Sequence, residues 1–80
     1  MTEVPGMMQQ WVIYDHPADF PDHYVIRCWL IGAGKYWHTG EAWLRPDLDS
    51  AREVIRGNYP DGYRLDRSPS DDPVVVEVWI

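Results

Sequence analysis

Cysteine is nearly absent from this 80-residue chain, in which Cys28 stands alone. A single thiol excludes an internal disulfide, CxxC redox chemistry and Cys/His zinc-finger spacing. Long apolar runs are missing too, since nothing approaches the roughly 18 residues of a membrane-spanning helix. Basic residues are few: seven lysines and arginines face thirteen aspartates and glutamates, a net charge of −6. That balance opposes binding to nucleic acid or an anionic membrane surface, both of which are negatively charged. The opening MTEVPGMMQQ has no basic cluster and no apolar stretch of signal length. A cytoplasmic protein of one domain is the expectation, with residues 1–8 as a flexible N-terminal segment and with neither membrane nor direct nucleic-acid binding.

What is abundant is indole and phenol. Five tryptophans and five tyrosines in 80 residues must build a core, an interface or both, because each such ring buries roughly 150–250 Å². The core they serve is small. A chain of this length buries only about 60–65% of the surface it exposes when unfolded, which leaves a thin stability margin and little room for a deep cleft.

The runs QWVIY (10–14) and YVIRCWLI (24–31) have the β-branched and aromatic composition of strands and suggest a hairpin. KYWHTGEAWL is ambiguous between a third strand and a covering loop. DLDSAREVIR (47–56) reads as a short amphipathic helix, with Asp47 as N-cap, Leu48, Ala51 and Ile55 on one face, and Gly57 as the stop. YRLD and VVVEVWI supply two closing strands after the turn clusters NYPDG and RSPSDDP. The expected fold class is therefore α+β: a small, mostly antiparallel sheet of four to five strands, ordered β-β-(β)-α-β-β, with one short helix on one face.

One helix covers one face, so the other face carries the functional expectation. With Tyr14 set opposite Tyr24, alternation puts Val12, Tyr14, Tyr24, Ile26, Cys28 and Leu30 on one side and Trp11, Ile13, Val25, Arg27, Trp29 and Ile31 on the other. The last strand adds Val75, Glu77 and Trp79 to the second side. The aliphatic side suits the helix. Trp11, Arg27, Trp29, Glu77 and Trp79 then form an expected interface, because Trp, Tyr and Arg are enriched at the centres of protein contacts. Trp37 and Trp43 folding across that side is the competing expectation.

The densest polar stretch is YDHPADFPDHY, from Tyr14 to Tyr24. Asp15, His16, Asp22 and His23 are candidate metal ligands of the types zinc accepts, but their spacing matches no ligand signature. Prolines that fix φ, with aspartates that accept backbone hydrogen bonds, make a stiff turn the stronger expectation. GAGK (32–35) lacks the spacing of a phosphate loop, Cys28 sits mid-strand as a small hydrophobe, and His38 with Glu41 in WHTGE is an unpatterned acid–base pair. No serine stands in a nucleophile motif. Asp19, Asp61, Asp66, Asp71 and Asp72 form a candidate acidic patch for a cationic partner.

The function expected from these features is a small acidic protein-interaction module without catalysis or cofactor, a homodimer or a subunit docked through the aromatic sheet face. Two rivals stand beside it. One is an acidic regulator that occupies the basic, nucleic-acid-binding groove of a partner, and the other is a metal-dependent hydrolase built on the 15–23 loop.

Overall fold

A computed structural model of the chain describes residues 8–68 and 72–80. It shows an α+β fold in which five antiparallel strands and one helix follow the order β-β-β-α-β-β. The strands are β1 (Met8–Asp15), β2 (Tyr24–Gly32), β3 (Lys35–Arg45), β4 (Arg64–Asp66) and β5 (Val75–Trp79), and the helix α1 spans Leu48–Asn58. Their spatial order is β3-β2-β1-β5-β4, so the first strand lies at the centre of the sheet. Met8 opens β1, and the remainder of the expected N-terminal segment lies outside the described residues. Among the described residues no helix is long and apolar enough to cross a membrane.

Local chemistry explains the joints. Ala33 and Gly34 sit at φ of 52° and 73° and link β2 to β3, as a two-residue hairpin turn with positive φ requires. The ambiguous segment is a strand, interrupted near Gly40 (φ 86°) by a bulge: Arg27 pairs with Ala42 and Trp29 with His38, leaving Thr39, Gly40 and Glu41 across from Cys28. Such a bulge bends an edge strand and weakens its use as a pairing template. Asp47 caps α1, its carboxylate accepting from the Ser50 backbone N–H and the Ser50 hydroxyl at 2.8 Å each. Those two bonds hold the Asp47 carboxyl below its ordinary value. The helix passes the expected stop at Gly57 and ends at Asn58, where the Tyr59 N–H bonds the Ile55 carbonyl and the Asn58 side chain bonds the Val54 carbonyl.

The hairpin register differs from expectation by one residue. Tyr14 pairs with Val25 and Asp15 with Tyr24, because the eight-residue loop closes on a bond from the His16 N–H to the His23 carbonyl. A one-residue slip exchanges faces between the two strands. Trp11 and Ile13 therefore share a side with Cys28 and Ile26, and Trp79 and Glu77 lie across from Trp11 and Ile13 on that same side.

This is the side that α1 covers. The core gathers Trp11, Ile13, Ile26, Cys28 and Trp79 from the sheet against Ala51, Val54 and Ile55 from the helix, with Trp43 and Tyr59 half-buried at its rim. Trp11 is the hub, its ring 5.2 Å from Trp43 and 6.5 Å from Tyr59 by centroid, while its indole N–H is satisfied by the Gln9 side chain at 2.9 Å. The expected pairing of an aliphatic side with the helix is thus corrected, since the helix packs on tryptophan and isoleucine together. Replacing Trp11 by Ala is expected to cost about 3–5 kcal/mol, a large share of the on the order of 4–12 kcal/mol available to a domain of this size. Urea denaturation should show the variant largely unfolded or with its midpoint strongly lowered.

Candidate functional site

On the side of the sheet away from α1, four rows of side chains run across the strands. They are Met8, Ile31 and Tyr36; Gln10, Trp29 and His38; Leu65, Val78, Val12, Arg27 and Ala42; and Val75, Tyr14, Val25 and Leu44. No described helix lies against them. Arg27 is the only charged residue among them, and Asp19 reaches back from the β1–β2 loop to pair with it at 2.9 Å. The loop thereby closes over the end of the face where Val25 is fully buried. Elsewhere the face is open: of the six large apolar residues exposed on the described chain, Met8, Tyr36, Leu44 and Leu65 belong to it. Four of the six thus fall on this one side, spread from edge strand β3 to edge strand β4.

At the centre of the face the polar atoms are tied to one another. The Trp29 indole N–H donates to the Tyr14 hydroxyl oxygen at 3.3 Å, the Trp29 ring meets the edge of His38 at 4.8 Å between centroids, and Arg27 Nη1 lies 3.3 Å from His38 Nε2. Two adjoining grooves share Tyr14 and Trp29 as a common wall. One, of about 390 Å³, runs toward Pro17, Asp19 and Arg27; the other, of about 450 Å³, runs over Val12, Val78 and Tyr36.

Of the five residues expected at an interface, only Arg27 and Trp29 lie on this open side. Trp11, Glu77 and Trp79 are corrected: all three are buried on the helix side, with 5%, 3% and 8% of their surface exposed. The expected register joins Trp11 and Trp79 to Trp29, and the observed one separates them. Tyr14, Tyr36 and His38 belong to the open face and were not expected there. Tyr14 was assigned to the aliphatic side, and His38 and Tyr36 become visible only once segment 35–45 is known to be a strand.

Glu77 has a structural part. Burial alone would push its carboxyl up, but two bonds from Arg52 (2.8 and 3.0 Å), one from the Trp79 indole (2.9 Å) and the charges of Arg52 and Arg64 outweigh that and hold it below the ordinary glutamate value. Among the described residues every buried side-chain polar atom has a partner. A lowered folded-state value means the pair stabilises the fold above the unfolded glutamate value of about 4.3 and loses that contribution as pH falls through the lower folded one. Arg52→Ala leaves the carboxylate with the Trp79 indole and the more distant Arg64 charge and is expected to cost about 1–3 kcal/mol near neutral pH. The difference from the native chain should shrink in urea titrations carried below about pH 4.

The Asp/His loop does not assemble as a ligand set. Asp15 and His16 contact each other, and His16 lies edge-on to Tyr24 at 4.9 Å. Asp22 and His23 do not complete a site with them, and no group of three or more His, Cys, Asp or Glu side chains converges among the described residues. The loop is a run of turns closed by bonds from the Phe20 N–H to the Pro17 carbonyl and from the His23 N–H to the Phe20 carbonyl. The acidic residues sit on separate segments: Asp19 in the β1–β2 loop, Asp61 in the turn after α1, Asp66 in β4 and Asp72 in the turn before β5, where it accepts from the Val74 N–H at 3.0 Å. Asp71 lies outside the described residues.

His38 and Glu41 form no acid–base pair; the His38 ring takes up Gly40 and Arg27, and the Glu41 N–H bonds the Thr39 hydroxyl. Cys28 is buried under α1, and burial with the Glu41 charge raises its thiol to about 11. The thiol is then protonated at neutral pH and a poor nucleophile. Iodoacetamide should label Cys28 far more slowly in the native chain than in urea, and comparable rates would refute its placement.

Comparison with protein families, with curated proteins and with solved structures finds no match to this chain.

Proposed function

We propose that the chain is a small non-catalytic interaction module that self-associates through the open face of its sheet, with a second copy as the occupant. The observation that carries this reading is that exposed Met8, Tyr36, Leu44 and Leu65 all fall on the side of the sheet that no described helix covers, the side that also carries half-buried Trp29.

Charge favours a second copy. The chain carries −6, yet the strand residues of this face contribute only Arg27, already paired with Asp19. Two acidic molecules can therefore meet here without opposing carboxylates at the centre. The long dimensions of the molecule, 35 and 28 Å, leave room for the about 800 Å² per partner that a stable interface uses. A two-fold axis near Trp29 would set each copy's Trp29 near its own counterpart.

Sedimentation equilibrium at low and high salt tests the reading. The expected result is a dimer that salt leaves intact or strengthens, because salt screens the repulsion between two −6 molecules. A chain that stays monomeric at every concentration and ionic strength overturns it. Trp29→Glu should give a folded monomer, since the ring is only half-buried. Retained dimer in that variant would place the contact elsewhere.

A further inference from the structure

The groove bounded by Pro17 and Asp19 holds an excess of hydrogen-bond donors. The Tyr14 oxygen already accepts from the Trp29 indole, which leaves its own proton to donate. Arg27 commits one N–H to Asp19 and points another at His38. The two nitrogens of His38 both face donors: Nδ1 is 3.2 Å from the Gly40 backbone N, and Nε2 is 3.3 Å from Arg27 Nη1. A neutral imidazole has one acceptor nitrogen and an imidazolium has none, so at least one of these contacts sets N–H against N–H. An oxygen acceptor beside Arg27 and His38 relieves that conflict. The chain's own carboxylate in the groove is Asp19, which is 59% exposed at the side chain and arrives from a loop.

From this donor-rich geometry beside an indole face, we propose that the groove binds a small aromatic carboxylic acid. Its carboxylate accepts from Arg27, His38 and Tyr14, and its ring lies against Trp29 and Val74, both of which line the same space. The volume of about 390 Å³ falls at the lower end of the roughly 300–1,000 Å³ typical of small-molecule sites. A peptide carboxylate has the same headgroup, but so small a groove favours a free single-ring acid. Asp19 competes with such a ligand for Arg27. The inference goes beyond self-association and does not require it, because a monomer presents the same groove.

The test is a ¹H–¹⁵N titration of the full chain with benzoate, with benzamide as the uncharged isostere and acetyl-Ala-Phe as a peptide carboxylate, at protein concentrations above and below any dimer midpoint. Benzoate should move the Trp29 indole N–H and the Gly40 N–H saturably while leaving the Trp11 and Trp79 indoles in place. Benzamide should bind at least about tenfold more weakly, the loss of one charge-assisted contact. Arg27→Gln should weaken benzoate similarly, with His38→Gln as the second variant should Arg27→Gln fail to fold. Asp19→Asn should tighten benzoate binding by removing the competing carboxylate, which a purely structural Asp19 would not do. The proposal is overturned by equal binding of benzamide, by absent saturation, by tighter binding of the peptide, or by weaker benzoate binding in Asp19→Asn. A chain that proves monomeric throughout removes the self-association reading and leaves the titration outcome to judge the groove.

Discussion

A five-stranded sheet has two sides, and a single eleven-residue helix can shield one of them. Which residues are shielded depends on the closure of the β1–β2 loop, where the His16 N–H bonds the His23 carbonyl and so pairs Asp15 with Tyr24. Because side chains alternate, moving that closure by one residue would carry Trp11 and Ile13 to the opposite side from Ile26 and Cys28. The core beneath α1 and the separation of Trp29 from Trp11 and Trp79 both follow from this pairing. The prolines at 17 and 21 restrict the loop in which it is made.

The shielded side also explains a buried charge in so small a domain. Glu77 lies opposite Ile13 and would be costly there without partners. Arg52 comes down from α1 with a two-pronged grip, and the Trp79 indole supplies a third donor. The pair ties α1, which packs on β2 and β3, to the last strand through one long side chain. The helix itself packs over β2 and β3, with β1 beside them, and so leaves the other side of the sheet uncovered.

Much of the architecture was legible in the amino acids. The strand runs, the Asp47 cap and the amphipathic spacing of Leu48, Ala51 and Ile55 identify the elements and their order, because local propensity and periodicity act on neighbouring residues. Two features were not legible. The register turns on how eight loop residues close, and neither pairing of Tyr14 is favoured by hydrophobic pattern when both sides of β1 and β2 are apolar. Strand β3 was obscured because Thr39, Gly40 and Glu41 interrupt its apolar run with polar and turn-forming residues, although Trp37 and Trp43, on either flank, both fall on the helix side. The site depends on both features: Arg27 and Trp29 share the open side in either register, Trp11, Glu77 and Trp79 would join them only with Tyr14 opposite Tyr24, and His38 meets Arg27 only because segment 35–45 is a strand.

The open side is unusual in combining apolar exposure with an internally neutralised centre. Where the rest of the chain repels anions, the Arg27, His38 and Tyr14 group presents donors beside an indole, and the Asp19 carboxylate occupies part of that group from a loop whose remaining bonds are within its own turns. A carboxylate on a tethered loop binds with the advantage of its local concentration but with an exposed, screened contact. The contact keeps Arg27 from standing as an unpaired cation on an apolar face. The ion pair thus keeps the one charged strand residue of this face partnered without a contribution from the core.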